Sequence, residues 1–324
     1  EAFVSEDACW RQIKMTCDTT DKSLEDAFTY FCMEIQPQMQ PYADALNKKL
    51  IASPFTSELD KDQYFTYLRS VKKSIELFRT ENIPLQAELS VLQQQYGTIA
   101  GKMTIEMNGQ EYTLQQAAQF LESEDRAIRE SVYRKIQERR LEDKKAMHDL
   151  FSSLIEKRNQ VAINAGFANY RDYAFASLGR FDYTPADCFE FHSAVAKTVV
   201  PMINRQAEKR KNRLGLSALK PWDKAVDVLG RGPLKPFETG EELLAKTIEV
   251  FDRMDPFLGD CLKEMVKLDR FDLDSRKGKN PGGYNYPLEE SGFPFIFMNV
   301  AGQVRDMVTL LHEGGHAVHS ILTK

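Results

Sequence analysis

A chain of 324 residues with 42% hydrophobic side chains and a formal net charge of −5 has ordinary globular composition and can bury a core without disulfide or metal staples. At about 100–200 residues per domain, its length predicts two domains or one large one. Forty-three basic residues against 48 acidic ones leave no electrostatic case for nucleic acid, and no run of about 18 apolar residues marks a membrane span.

Few turn formers, 17 Gly and 13 Pro, beside many Gln, Glu, Lys, Leu and Ala predict a mainly helical chain. Residues 22 to about 100 read as successive helices. Ser23-Leu24-Glu25-Asp26 has the form of a capping box. Tyr64, Leu68, Val71, Ile75 and Phe78 recur at spacings of 4, 3, 4 and 3, which is one buried helical stripe. Pro84 opens the next helix and Gly97 closes it. Across 102–113 the period becomes two, with Met103, Ile105 and Met107 alternating with Thr104 and Glu106. Asn108-Gly109 then predicts a β-hairpin, because a type I′ turn needs positive φ at both central residues. Thr113 caps a helical stretch from 114 to about 165. Gly166, Gly179, Leu214-Gly215 and the segment 230–240 mark joints between later helices. Lys-Arg runs such as Glu208-Lys209-Arg210-Lys211 read as solvated helix faces. From about 268 to 301 the text changes to strands and tight turns before a final helix. The glycines there lack both phosphate-loop spacings.

Histidine is scarce, five in all, yet His312, His316 and His319 fall within eight residues. His312-Glu313-Gly314-Gly315-His316 is an H-E-x-x-H. Val304, Met307, Val308, Leu311, Gly315, Val318 and Leu322 form a helical apolar face around it. At about 100° per residue the two motif histidines lie within about 40° of each other, one turn apart, so their imidazoles can converge on one zinc ion at about 2.0–2.1 Å. Glu313 points aside from them, where it can act as general base on a metal-activated water, the mechanism of a metallopeptidase. His319, a turn further on, reads as a wall residue or a donor to a ligand, not a ligand itself. His148 and His192 sit alone and carry no role. Each mid-helix glycine costs about 1 kcal/mol relative to Ala. Gly315 is expected to admit a close neighbour across the buried face; Gly314 has no reason in the sequence beyond space for a substrate or neighbour. The five cysteines, an odd number without a C-x-x-C pair, read as free thiols in a reducing compartment. The chain opens on Glu1-Ala2-Phe3 with no basic-then-apolar signal, and a cytoplasmic location is expected.

Phe271-Asp272-Leu273, Arg276, Gly278-Lys279, Gly282-Gly283-Tyr284, Pro294-Phe295-Ile296-Phe297, Asn299, Asp306, Thr309-Leu310, His312-Glu313, Gly315-His316-Ala317 and His319 together resemble the catalytic core of the oligoendopeptidase F branch of the thimet oligopeptidase family. Upstream, Gly109, Thr113, Asp125-Arg126, Arg129, Arg158, Gly166-Phe167, Asn169-Tyr170-Arg171-Asp172-Tyr173 and Pro221-Trp222-Asp223 fall where that family's pattern puts similar residues. The resemblance implies a zinc-dependent endopeptidase that hydrolyses short peptides, built as two helical lobes around a deep substrate channel. It implies a division into 1–135, a helical N-terminal lobe with the hairpin, and 136–324, a catalytic domain truncated at its C-terminal end. Phe297 to Ala301, with Asn299 among them, would be an edge strand that pairs with an extended peptide. Gly282 and Gly283 would belong to a mobile loop, with Tyr284 and His319 also near substrate.

One zinc ion per site is expected, with His312 and His316 as ligands and a third, a Glu, a few tens of residues beyond His316 and so beyond Lys324. The remainder of the same polypeptide would complete the site, and residues 1–324 alone would be inactive. Where the family has a bulky apolar residue after the motif Glu, this chain has Gly314. Two alternatives stay open. One is a metallo-carboxypeptidase on a similar helical scaffold, which would need a basic anchor that the sequence does not identify. The other is an inactive peptide-binding fragment.

Overall fold

The computed structural model describes residues 2–323, and most of them are α-helical. Contacts divide the chain into two units, each discontinuous in sequence. One comprises the residues up to Phe28, Tyr96–Lys145 and those from Ala207 onward; the other comprises Thr29–Gln95 and Ala146–Gln206. The boundary expected at 135/136 falls inside the helix Arg126–Glu142, within the first of these. Among the described residues no helix is long and apolar enough to cross a membrane.

The second unit is helical throughout. Asp60 caps the helix Lys61–Leu77 by accepting from the amides of Asp62 and Gln63. The expected stripe does turn inward: Val71 is buried and Tyr64, Leu68, Ile75 and Phe78 are half-buried, while Phe65 and Tyr67 stay exposed. Pro84 lies in the first turn of Asn82–Gly101, which runs on through Gly97 to Gly101. Buried Asn82 donates to Val161 O at 3.0 Å and accepts from Asn164 Nδ2 at 2.8 Å.

In the first unit the hairpin forms as its sequence dictates. β1 (Thr104–Met107) pairs antiparallel with β2 (Gln110–Thr113), and Asn108 and Gly109 take φ of 53° and 79°. Thr113 and Gln116 make a reciprocal capping box. The helical stretch expected from 114 to 165 is broken. Leu114–Ala118 passes through a 3₁₀ turn, Gln119–Glu122, and Arg126–Glu142 restarts under an Asp125 cap. Arg126 and Arg129 explain the break, since both turn onto Asp223, which is fully buried, and Arg129 also donates to Trp222 O. Asp21, not Ser23, caps the earlier helix Lys22–Tyr30 by accepting from Ser23 N at 2.8 Å.

Three further strands make a mixed sheet ordered β3–β5–β4, where β3 is Phe271–Asp274, β4 is Tyr284–Tyr286 and β5 is Phe295–Val300. β3 pairs parallel with β5, and β4 pairs antiparallel with it. The continuous apolar run of β5 is what a central strand buried on both faces requires. Ile296, Met298 and Val300 point into a core with Phe237, Leu243, Phe251, Leu262, Met265 and Leu310. Phe295 and Phe297 point the other way, onto Cys9, Ile13 and Leu288. Of the segment 297–301 expected as an edge strand, Phe297 has both flanks occupied, whereas β4 pairs with no residue from Met298 onward; β4 itself has one strand neighbour and lies at the edge of the sheet.

Candidate active site

The motif sits on the helix Val304–Leu322. Asp306 Oδ2 fixes its entry by accepting from Ala301 N at 2.8 Å and Gln303 N at 3.0 Å. Leu310, Glu313, Gly314, Ala317 and Val318 are its buried residues. The apolar face expected from periodicity is rotated: Val308 and Leu322 are 58% and 63% exposed. The cause is tertiary, since the helix packs on Gly240–Met254, whose Phe251 ring lies against Gly314, and on Pro256–Lys267.

This reverses the expected roles of the two glycines. A Cβ on Gly314 would come within 3.1 Å of Phe251 Cζ, whereas one on Gly315 would meet nothing within 4 Å. Gly314→Leu is expected to lower stability by about 1–3 kcal/mol through overpacking. Gly315→Ala is expected to raise it by about 0.5–1 kcal/mol by removing a helix-interior glycine. Urea midpoints of the two variants check both signs.

His312 and His316 are brought together as their spacing requires. Their Nε2 atoms lie 3.1 Å apart and their rings are 4.5 Å apart at 87°. Two ligands of one tetrahedral zinc at about 2.0–2.1 Å lie about 3.3 Å apart, so this pair fits one edge of such a sphere, and a set of imidazoles without thiolate suits a catalytic ion. Both rings are exposed, and Glu313 between them is only 9% exposed. Among the described residues no group of three His, Cys, Asp or Glu side chains could hold a metal ion. The third ligand expected beyond Lys324 lies outside the described residues.

Gly282, Gly283, Asn299 and Ala301 line one cavity of about 320 Å³ with Thr309 and Arg305 of the motif helix. Asn299 Nδ2 ties the loop down by donating to Asn280 O at 2.8 Å and Gly282 O at 2.9 Å. Gly283 is pressed between strand and helix, and a Cβ there would stand 3.3 Å from Phe297 O and 3.6 Å from Thr309 Cγ2. Tyr284 and Phe297 are placed elsewhere. Their rings stack at 4.7 Å and 2°, the Tyr284 hydroxyl bonds Thr16 Oγ1 at 2.7 Å, and Phe297 is fully buried. Burial holds the Tyr284 phenol well above its usual range. His319 is exposed and lies outside the cavity lining. β4 is tied to the motif helix by Asn285 Nδ2 donating to Ser320 Oγ at 3.3 Å, while Ser320 Oγ donates to His316 O.

Beneath the sheet lies a charged cluster. Lys279, its side chain fully buried, donates from Nζ to Asp272 Oδ1 at 2.8 Å, Asp272 O at 3.0 Å and Asp274 O at 2.9 Å, with the Phe297 ring 4.5 Å away. Arg276 bonds both oxygens of Asp272 at 2.7 and 2.6 Å. Burial would raise the Asp272 carboxyl, but hydrogen bonds from Arg276, Cys17 and Lys279 outweigh it and hold the group well below the usual carboxylate range. Burial, with Asp272 beside it, pushes the Cys17 thiol up to about 12, and burial draws Lys279 down. A thiol so raised is a poor nucleophile.

Arg305 escaped the sequence reading, and Thr309 entered it only within the family resemblance and with no role at the site, although a signal existed for both. Arg305, Thr309, His312 and His316 recur at spacings of 4, 3 and 4, the same periodicity that marks an apolar stripe, here carried by polar residues. Gln115 and Ala118, which also line the cavity, had no local signal at all.

The sequence pattern of peptidase family M3 matches residues 119–324, and that of the peptidase M3 N-terminal domain matches residues 1–78. Oligopeptidase PepF of Bacillus subtilis is 24% identical over 206 residues, 63% of this chain and 30% of that protein. An oligoendopeptidase F homolog of Borreliella burgdorferi is 26% identical over 210 residues, 62% of this chain and 33% of that protein. Among solved structures, PZ peptidase A with a bound inhibitor superposes with a TM-score of 0.90 at 26% identity, over 97% of this chain and 55% of that one. The chain thus spans about a third of the length of these curated relatives and about half of the solved one. The motif helix, the mixed sheet and the Asp272 cluster's acid and cations all fall within residues 119–324, and on that match the chain belongs to peptidase family M3, in its oligoendopeptidase F branch.

Proposed function

We propose that this chain carries the His-Glu-His part of a zinc-dependent endopeptidase site that hydrolyses short peptides. The observation that carries the reading is the pair of Nε2 atoms 3.1 Å apart with a largely buried Glu313 between them on one helix. His312 and His316 would hold the ion, with a third protein ligand from outside the described residues. Bound there, zinc would polarise the scissile carbonyl and acidify a water to a pKa near about 7. Glu313 accepts the attacking water's proton and passes it to the leaving amine. An extended peptide would add to the open edge of β4, which Asn285 and Ser320 tie to the turn carrying His316, because main-chain bonds to a sheet edge accept many sequences. Gly282, at the end of that edge, has open space where a side chain would stand, and would let a peptide approach. Oligopeptides are thus the proposed partners. Five free cysteines support a cytoplasmic location.

His316→Ala tests the metal assignment. In the protein that carries the third ligand it is expected to lose bound zinc, read by elemental analysis after dialysis, with little change in helical circular dichroism because His316 is exposed. An unchanged zinc stoichiometry would reject His316 as a ligand.

A further inference from the structure

Arg305 stands in the first turn of the motif helix, where the helix dipole disfavours a cation. Two carboxylates lie near its end of the helix, and both are engaged elsewhere. Asp306 Oδ2 takes the amides of Ala301 and Gln303, and Glu122 Oε1 takes Gln303 Nε2 at 2.9 Å. Among the described residues nothing pairs with the Arg305 guanidinium, which lines the cavity beside Gly282, Gly283 and Thr309. Seven residues before His312, Arg305 falls about 20° from it around the helix and about 10.5 Å along it. An extended peptide covers that distance in about three residues.

We propose that Arg305 binds a carboxylate of the substrate about three residues to the C-terminal side of the scissile bond, either an acidic side chain or the terminal carboxylate of a short peptide. The proposal rests on the peptidase reading above. Its direction follows from pairing: a strand added to β4 in the better-aligned antiparallel sense runs from Tyr286 towards Tyr284, so its C-terminal half passes Gly283 and Gly282 and enters the cavity. The guanidinium is a planar fork of N–H donors that matches a carboxylate two bonds at a time, and it stays charged at every working pH. Arg305 is also the basic anchor that the sequence alone did not reveal.

The test uses the zinc-loaded protein together with the polypeptide that supplies the third zinc ligand, and internally quenched peptides of one sequence. The first pair is C-terminally amidated and differs only by Asp or Asn at the third residue after the cleaved bond. A second pair ends at that residue, as free acid or amide. Wild type is expected to prefer the carboxylate member by about 10-fold or more in kcat/KM, the range of a hydrogen bond to a charged group. Preference in the first pair assigns the side chain as the source, and preference in the second alone assigns the terminal carboxylate. Arg305→Gln should bring the ratio close to one, and Arg305→Glu should favour Lys at the same position. Equal rates within both pairs for wild type, or a preference that survives Arg305→Gln, overturns the proposal. Binding of the same peptides to the Glu313→Gln protein, read by fluorescence anisotropy, separates the two ideas. If no peptide is cut, the peptidase reading fails, while the ratio of acid to amide affinity still accepts or rejects Arg305.

Discussion

Glu313→Gln is expected to lower turnover of every cleaved peptide by about 10²–10⁴-fold, the usual contribution of a general base. The carboxylate is the one group of the motif that does not face the other two across the helix. His312 and His316 meet at 3.1 Å, while Glu313 sits between them in sequence and is turned inward, 9% exposed. An amide of the same shape fills the same space, so packing against the neighbouring helices is preserved. What is lost is an acceptor that can take a proton from water and return it to the amine. Zinc content should therefore stay at the wild-type level while kcat falls and KM changes little. Full activity of the variant with zinc bound would remove Glu313 from the mechanism.

Lys279→Met is expected to destabilise the protein by about 3 kcal/mol or more, because it strips one partner from a buried ion pair. Lys279 has a side chain with no exposure and supplies three hydrogen bonds, two of them to the backbone carbonyls of β3. Without it each of those carbonyls loses a hydrogen bond and the Asp272 carboxylate is left with Arg276 and Cys17. Arg276 is 45% exposed, so Arg276→Ala should cost far less. The sign of the pH dependence follows from Asp272. Its carboxyl is depressed in the fold, so its contribution is complete above the unfolded carboxylate range near about pH 4 and is lost as pH falls through the lower folded value. In Lys279→Met that acid-side loss should shrink, since fewer donors hold the carboxyl down. Urea unfolding at pH 7 and at pH 3 reads both effects. A variant as stable as wild type at pH 7 would show that Lys279 contributes nothing net to the sheet.

Three kinds of feature are legible in the sequence. Asn108-Gly109 announces the hairpin, Thr113 with Gln116 announces a helix start, and His312 with His316 announces two converging imidazoles. Each depends on residues within four positions of one another, and at that range backbone geometry alone fixes which side chains meet. The same holds for the inward stripe of Lys61–Leu77, whose face is set by a period of 3.6.

What the sequence by itself determined is therefore the helical class, the hairpin, the convergence of His312 and His316, and, through resemblance, the family. Tertiary structure decided the rest. It put β5 in the middle of its sheet and left β4 at the edge. It placed Phe251 against Gly314 and rotated the buried face of the motif helix, so that Gly314, not Gly315, has the close neighbour. It buried Lys279 on Asp272, and it opened a cavity from Arg305 to Gln115. All of these are meetings between segments distant in the chain. Periodicity says that a face will be buried but not what will cover it, because strand order and helix packing depend on which partner surfaces compete for the same apolar contact.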